Sequence, residues 1–472
     1  MTGEDPELID PRPVAPEDLE DIALGDDYAL NPAFVAMVVD AADRGDTDRL
    51  RELLYALRAE DVADLMGFLS QDYREEIIPF LDPSDLAEII AELDTNLREE
   101  VLEVTTPEKL AEALGELDTD DAADVIDDME DEQRAEVLAA MSDVDRAAIE
   151  TALAYADETA GRLMQREVLA APQFWTVAQT IDHVRSAGET LPELFFDLYI
   201  VDPAFKPVGA APISALLRAP AEATLETLME AVTEIPVDMD QEEVAYIFDK
   251  YHLISAPVVD SGGRLVGQIT VDDIVGVIQE ESEEDILALA GVSDAGRDAS
   301  IVDIARSRLP WLLVNTLTAT LAASVIHAFE GEIAKLLTLA VILPVVASLG
   351  GNAGTQTLAV AVRALAAREL NAANAMRIIS REMSVGLING LALAALLSAA
   401  SYVWQQDARL SLTLALALIV NLFLASVAGI LVPLTLERMG RDPAVSSSVF
   451  VTFVTDFMGF LSFLGLAALI IL

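Results

Sequence analysis

A carboxylate with no other acidic residue near it lies deep in a long hydrophobic stretch of this chain, at Asp456. Small or polar residues precede it at every fourth position, as Ala444, Ser448 and Thr452, and Thr455 adjoins it. This spacing places side chains on one face of a helix. Because a charged Asp at mid-bilayer costs roughly 2.5–3.5 kcal/mol, an intramembrane carboxylate indicates a functional site. The alternative is a protonated Asp456 that hydrogen-bonds a neighbouring helix.

A second polar group interrupts another hydrophobic stretch, over residues 343–356. Pro344 and three glycines are expected to leave backbone carbonyls unpaired, which a membrane tolerates only where they face protein or an aqueous cavity. Asn352, Thr355 and Gln356 supply further oxygens in the same turns. The stretch is therefore predicted to line an aqueous path. Close helix packing at the glycines is the alternative.

The ligands in both stretches are hard oxygens, which favour Mg²⁺, Ca²⁺ or Mn²⁺ over zinc or copper. One carboxylate per chain cannot enclose a bare divalent ion. Mg²⁺, however, keeps several of its waters and is commonly held through one or two carboxylates. Two chains related by a two-fold axis would bring two copies of Asp456 to one site.

The elements that must position these residues are five hydrophobic stretches, each long enough to cross a hydrocarbon core of ~30 Å. They run over 309–329, 333–362, 383–404, 410–436 and 445–472. Eight Arg residues close to the ends of the stretches lie on one side: Arg306 and Arg308 directly before the first stretch, Arg363, Arg368, Arg377 and Arg381 around the loop between the second and third, and Arg438 and Arg441 after the fourth. The loops on the other side hold only Lys335 and Arg409. This asymmetry places the N-terminal part in the cytoplasm and the C-terminus outside a cell (inner) membrane.

The chain has 472 residues, with 81 acidic against 28 basic side chains and a net charge of -53. Nearly all of the acidic excess precedes residue 306, and it argues against nucleic-acid binding. The absence of Cys and the presence of only three His exclude disulfides, thiol catalysis and Cys/His zinc sites. The acidic, proline-rich start predicts no signal peptide. Neither a phosphate-binding loop nor a nucleophile elbow occurs, so no enzyme is expected.

The acidic part divides into segments. Residues 1–33 are predicted to be disordered. Residues 34–157 carry a helical repeat with a step of twelve residues per helix and 24 per hairpin, as in 59–65, 83–89 and 107–113. Such short helices bury their apolar faces only by stacking, which predicts a superhelical domain. Its acidic run at 118–124 is either functional or a solvated cap.

A second repeat spans 158–280, where 199–209 aligns with 257–267 at an offset of 58 residues. Each copy predicts a strand, a turn, a second strand and flanking helices. This pattern resembles a tandem pair of CBS domains, which regulate many proteins and often bind adenosine nucleotides. A Thr-x-x-Asp motif that often holds a ribose in that family occurs here as Thr270 to Asp273, whereas the first copy has Pro212 and Ala215. Nucleotide (ATP) binding and a purely structural role both stay open.

With these residues in place, the chain closely resembles the MgtE family of magnesium channels and transporters. The motifs that carry the resemblance are Pro344 with the Gly-Gly-Asn-Ala-Gly-Thr-Gln run of 350–356, and Asp-Pro-Ala-Val at 442–445 with Asp-Phe-Met-Gly at 456–459. The resemblance implies a multidomain membrane protein with an all-α superhelical N domain, an α+β tandem CBS pair, a linker (plug) helix over 281–305 and a five-helix transmembrane domain over 306–472.

The resemblance also implies a homodimer whose two-fold axis runs through the pore, with Mg²⁺ as the ion. Hydrated Mg²⁺ would be held by Asp456, beside a path lined by Asn352, Gly350 and Gly351. The polar face with Ser448, Thr452 and Thr455 would adjoin it, although some relatives have Asn in place of Ser448.

Closure of the pore by cytoplasmic Mg²⁺ is a further implication, because the ion would draw repelling carboxylates together. The positions that match are Asp120, Asp124, Asp273, Glu281, Glu284, Asp285 and Asp442, whereas His252 and Gly276 stand where relatives often carry acidic residues. Coulomb repulsion is screened over ~10 Å at 0.1 M salt, so clustering matters more than total charge. The bulk acidity is equally compatible with a salt-rich habitat.

Two other functions remain as hypotheses. The same oxygen ligands could serve a broader transporter of Co²⁺ or Mn²⁺. A membrane-anchored sensor that reads a nucleotide through its CBS pair is the third hypothesis, although an anchor needs neither Asp456 nor an interrupted second span.

Overall fold

The computed structural model describes residues 19–25, 28–187, 191–192, 194–290, 292, 301–366, 368, 370, 374–444 and 447–471. The chain forms two compact units, Met1–Ile278 and Gln279–Leu472. The predicted multidomain architecture, with helical repeat, CBS pair and five long apolar helices, is confirmed.

The N-terminal part of the first unit is a stack of short helices. Its helices are α1 (Leu19–Ala23), α2 (Pro32–Asp43), α3 (Thr47–Leu54), α4 (Ala59–Phe68), α5 (Gln71–Ile77), α6 (Pro83–Glu92), α7 (Thr95–Val104), α8 (Pro107–Leu114), α9 (Thr119–Asp127), α10 (Asp131–Ala140) and α11 (Asp143–Ala152). The short α12 (Ala160–Leu163) follows them and packs in the core of the next domain. From α4 to α11 each helix begins twelve residues after the one before it, which is the predicted step. Proline begins α6 and α8, where its missing N–H costs no helical bond.

The core of this stack is continuous, because each amphipathic helix turns its apolar side inward. Leu65, Leu86, Leu110 and Ile126 are among its fully buried side chains. Order begins earlier than the predicted boundary at residue 34: Leu19 in α1 is completely buried in the same core. The remainder of the predicted disordered segment, residues 1–18 and 26–27, lies outside the described residues.

Two similar halves follow in the same unit. Their elements are β1 (Ala170–Pro172), α13 (Val177–Ala187), β2 (Asp197–Val201), β3 (Pro207–Pro212), α14 (Ile213–Arg218), β4 (Ile235–Pro236), α15 (Gln241–Tyr251), β5 (Ser255–Val259), β6 (Leu265–Thr270) and α16 (Val271–Leu289). Each half has a three-stranded sheet, β1-β2-β3 or β4-β5-β6, with one parallel and one antiparallel pairing. The antiparallel register shifts at Ile200/Val201 in one sheet and at Val258/Val259 in the other, which matches the predicted offset.

The second unit consists mainly of helices that are long and apolar enough to cross a membrane. Its helices, after the end of α16, are α17 (Ile301–Ala328), α18 (Glu330–Lys335), α19 (Thr338–Ala366), α20 (Ala375–Gln405), α21 (Ala408–Arg438) and α22 (Ser447–Ile470). Half of the residues in the most apolar segment of α21 are buried, whereas only 11% are buried in the corresponding segment of α17. Helix α21 is therefore the central helix of this unit. The third span begins before the predicted residue 383 and thereby includes Glu382, which is 9% exposed.

Candidate functional site

The last helix, α22, has two distinct faces. Thr455 and Gly459 are buried in helix packing, Thr455 next to Gly354 of α19 and Gly459 next to Asn421 of α21. One step around the helix, Asp456 is partly exposed, together with the predicted residues Ser448 and Thr452. The packed face fixes the orientation of α22, and this orientation leaves the Asp456 carboxylate on the partly open side.

Asp456 has no partner within the part of the chain that the structure describes: no hydrogen bond or ion pair reaches its carboxylate. In the same described residues, no group of three His, Asp or Glu side chains could enclose a metal ion.

Thr455 was also predicted to adjoin the ion path. It is completely buried, and its hydroxyl donates to the backbone oxygen of Thr452 at 2.9 Å. Thr455 therefore lies on the packed face of α22, whereas Thr452 lies on the partly open one.

Helix α19 differs from the sequence interpretation, since it is one continuous helix across Pro344 and the glycines. Pro344 removes only its own N–H donor, and each glycine retains one, so the helical ladder continues. The expected row of unpaired carbonyls is thus not formed. Gly350 and Gly354 are buried and permit close approach of α21 and α22, which is the packing alternative.

The next residues of α19 behave differently from these two glycines. A Cβ on Gly351 would meet nothing within 4 Å, and Asn352 is exposed. Thr355 is exposed as well, with its hydroxyl 3.1 Å from the backbone oxygens of Gly351 and Asn352. Of the predicted lining residues on this helix, Gly351 and Asn352 are therefore on the open side, and Gly350 is on the packed side.

Sequence reasoning missed a polar residue at the centre of this unit, Asn421 of α21. Its side chain is completely buried, and its Nδ2 donates to the backbone oxygen of Val346 at 2.8 Å. Asn421 is the only amide side chain in the sequence of α21, and this was the available signal. Its position between two other helices could not be read from the sequence.

In the first unit, Asp120 of α9 lies within the electrostatic influence of Asp273 of α16. Asp120 is 6% exposed, and its Oδ1 is buried without a partner among the described residues. Burial raises the pKa of Asp120 well above its usual range, and the negative charge of Asp273 raises it further. Burial also raises the pKa of Asp273 to about 6, although the Thr270 hydroxyl donates to its Oδ2 at 2.8 Å. A divalent cation would offset both the free-energy cost of burying these charges and their mutual repulsion.

The N-terminal helices and the CBS pair also meet through hydrogen bonds to carboxylates and through an arginine. The Thr119 hydroxyl donates to Glu167 at 2.7 Å, and Gln165 donates to Asp118 at 3.2 Å. Arg162, whose side chain is 8% exposed, pairs with Asp124 at 3.2 Å. The predicted ligand Asp124 thus already has a cationic partner from its own chain, and sequence reasoning did not foresee this contact.

In the second unit, the C-terminal half of α16 lies near the start of α22. Burial raises the pKa of Asp285, and the charges of Asp442 and Glu281 add to the rise. Asp442 also accepts a hydrogen bond from the backbone N–H of Ala444 at 2.7 Å. The charge of Asp442 therefore acts on Asp285, and both were predicted as regulatory residues. Glu284 lies on the same helix, and most of the predicted plug segment after 290 lies outside the described residues.

The CBS pair contains a cavity of about 550 Å³. Phe196 and Leu253 line it, and the Ser255 hydroxyl donates to Asp197 at 2.8 Å within its wall. Among the described residues, its lining includes the acidic Asp197 and Glu230 but no Arg or Lys. The Thr270 and Asp273 pair does not belong to this lining.

His252 and Gly276, the two positions where relatives often carry acidic residues, lie in different parts of this unit. His252 ends α15 in the left-handed conformation, with φ 53°, and lines the same cavity. At Gly276 of α16, a Cβ would meet nothing within 4 Å.

We expect the contact between the N-terminal helices and the CBS pair to strengthen at acid pH when Mg²⁺ is absent. The raised pKa values of Asp120 and Asp273 mean that the docked arrangement binds more protons. The cost of burying their charges is therefore complete above about pH 6 and is relieved as the pH falls through that value. From pH 7.5 to pH 5 the docking equilibrium should shift by at least ~10-fold.

The chain contains no Cys, so Val144→Cys and Phe174→Cys, at two exposed positions, allow a fluorescent donor and acceptor to be attached to the full-length protein. Energy transfer is measured against pH in a chelator. Asp273→Asn should flatten the profile. A profile that is unchanged by this substitution would contradict the assignment.

A stacked helical domain, a CBS pair and five apolar helices around an intramembrane carboxylate define a membrane protein of the cation-transporting class. Comparison with known proteins supports this class. The family model described as divalent cation transporter matches residues 343–466, that of the MgtE intracellular N domain matches 57–158, and that of the CBS domain matches 225–280. The chain belongs to the MgtE family.

Similar proteins include the magnesium transporter MgtE of Thermus thermophilus, which is 33% identical over 69% of this chain and 73% of that protein. The magnesium transporter MgtE of Bacillus subtilis is 30% identical over 68% of this chain and 71% of that protein. A solved cytosolic domain of the Mg²⁺ channel MgtE in complex with ATP is 30% identical, with a TM-score of 0.49, and covers 52% of this chain and 99% of that one.

Proposed function

We propose that this chain is a Mg²⁺ channel of the cell (inner) membrane and that it works as a homodimer with the pore on its two-fold axis. The observation that carries the proposal is the partly exposed Asp456, which no partner reaches within the described residues of its own chain. A symmetry-related copy would place two such carboxylates at one hydrated ion. The open positions of Gly351 and Asn352 on the adjacent helix α19 support the same path.

Orientation follows from the distribution of arginine, with the N-terminus in the cytoplasm and the C-terminus outside. The acidic domains would then sense cytoplasmic Mg²⁺ and close the pore when they bind it. Asp120 supports this role, because a divalent cation would offset both the burial of its charge and the repulsion that it experiences from Asp273. The charge of Asp442 acting on Asp285 supports a second such point in the membrane unit.

The CBS cavity favours a second role, the sensing of a nucleoside-like ligand, since its volume suits a molecule of that size. Its charge favours a ligand without phosphate groups, because Asp197 and Glu230 would repel them. For this reason Mg²⁺, rather than a nucleotide, is the regulator in the proposal.

Reconstitution in liposomes tests the proposed ion. Purified protein should carry Mg²⁺ down its gradient, as a Mg²⁺ indicator inside the vesicles reports. Ca²⁺, Mn²⁺ and Co²⁺ are then added outside in a competition series. The proposed site would bind Mg²⁺ that keeps its coordinated waters. Ca²⁺ has a larger and more flexible coordination shell, so it should compete weakly. Equal flux of Co²⁺ or Mn²⁺ and Mg²⁺ would instead favour the broader transporter.

A further inference from the structure

The buried amide of Asn421 lies where three membrane helices meet. Its Nδ2 bonds to the backbone oxygen of Val346 on α19, and its Oδ1 is buried with no partner among the described residues. Polar groups within a membrane are expensive and are retained where they serve a function or join helices. A single hydrogen bond with one unmet acceptor is a poor reason for retaining an amide at this depth, since an apolar side chain would pack without that penalty.

Two glycines make room for this amide, one on each helix of the predicted ion path. A Cβ on Gly350 of α19 would collide with the Asn421 Nδ2. A Cβ on Gly459 of α22 would lie 2.9 Å from the same atom and 3.2 Å from Oδ1, closer than a real Cβ tolerates without movement. The amide therefore fits against the bare backbone of both helices, and any change in its size or bonding shifts one helix relative to the other.

Both glycines are close in sequence to the residues that would meet the ion. Gly350 directly precedes Gly351 and Asn352, and Gly459 follows Asp456 by three residues, or nearly one helical turn. The contact around Asn421 thus sets the spacing between the backbone that carries Asn352 and the backbone that carries Asp456.

We infer that Asn421 is a positioning residue for ion conduction, which holds α19 and α22 at the separation that a hydrated divalent ion requires. The inference rests on the proposed function. Asn421 itself is enclosed by protein and does not meet the ion. It acts through the hydrogen bond to Val346 and through its fit between Gly350 and Gly459.

The test measures ion preference as well as rate, because misfolding alone lowers the flux of every ion equally. Asn421→Leu keeps the number of side-chain heavy atoms and the branched outline, although its methyl groups are bulkier, and it lacks the donor to Val346. In liposomes with equal amounts of folded protein, it should lower Mg²⁺ flux at least tenfold and raise the flux of Ca²⁺ relative to Mg²⁺ at least threefold. Asn421→Asp should retain most of the wild-type ratio, because a protonated carboxyl can still donate to the Val346 oxygen.

Asn315→Leu is the matched control, since it removes an amide from an exposed position of α17. It should leave both the rate and the ratio unchanged. If Asn421→Leu is not recovered as folded protein, Gly459→Ala tests the same contact from the other side and should shift the ratio in the same direction. Wild-type ion preference in the recovered variant would overturn the inference.

Measurement of the wild-type protein in the same vesicles distinguishes a failure of the proposed Mg²⁺ selectivity from a failure of the positioning role of Asn421. Mg²⁺ flux by the wild type with an unchanged ratio in the variants would overturn the positioning role alone. If the wild type prefers another divalent ion, the proposed selectivity fails, and a shift of that ion's ratio in Asn421→Leu would still support the positioning role.

Discussion

Replacement of Asp456 by asparagine should lower Mg²⁺ flux by at least ~100-fold, the largest effect expected from any single substitution in this chain. Hydrogen bonds to a charged group contribute roughly 1.5–3 kcal/mol each, and both copies in a dimer would lose theirs, which corresponds to about 10²–10⁴-fold. Asp456 lies on the partly open face of α22, so the amide is accommodated without repacking. The measurement is Mg²⁺ flux in liposomes together with growth of a magnesium-transport-deficient host.

The matched control is Asp407→Asn, which also changes a carboxylate to an amide. Asp407 caps α21 by accepting hydrogen bonds from the backbone N–H groups of Arg409 and Leu410, and asparagine caps a helix equally well. Flux should therefore be retained. Normal flux through Asp456→Asn would remove Asp456 from the mechanism.

Mixed dimers test the shared site. When the wild type and Asp456→Asn are produced in equal amounts, random pairing leaves about one quarter of the dimers with two carboxylates. If both carboxylates are needed at one ion, flux should fall to about one quarter, whereas independent pores in each subunit would leave about half. A value of half would contradict a pore on the two-fold axis.

The repeats were the most predictable part of the fold, because local periodicity alone specifies them. The twelve-residue step reappears in the starts of α4 to α11, and the 58-residue offset reappears in the register shifts of the two sheets. Charge and hydropathy likewise identified the five spans, since membrane insertion depends on composition along a short segment.

The site was less predictable, because its arrangement depends on contacts between residues distant in the chain. The glycines of α19 suggested a broken helix, yet Gly350 and Gly354 serve packing against α21 and α22. Arg162 pairs with Asp124 across 38 positions of sequence, and Asn421 bonds to Val346 across 75. No local pattern indicates such pairs. A residue's type suggests what it could bind, and the packed face of its helix decides whether it can.

Neutralising four predicted regulatory carboxylates together should leave conduction intact and raise the cytoplasmic Mg²⁺ concentration needed for closure by at least ~10-fold, because closely held carboxylates are what a divalent cation binds. The variant combines Asp120→Asn, Asp273→Asn, Glu284→Gln and Asp285→Asn. The charge of Asp273 adds to the raised pKa of the buried Asp120, and the charges of Asp442 and Glu281 add to the raised pKa of Asp285. Patch recordings with Mg²⁺ titrated on the cytoplasmic face provide the measurement.

Bulk charge must be separated from clustered charge, since the chain carries a net charge of -53. A control with the same change in charge neutralises four exposed carboxylates of α7 and α8 instead. It combines Glu99→Gln, Glu103→Gln, Glu108→Gln and Glu112→Gln. Salt screens such scattered charges over ~10 Å, so this control should close at the wild-type Mg²⁺ concentration. Equal loss of Mg²⁺ sensitivity in both variants would mean that closure depends on the total negative charge. Closure of the first variant at the wild-type Mg²⁺ concentration would show that its four residues do not belong to the sensor.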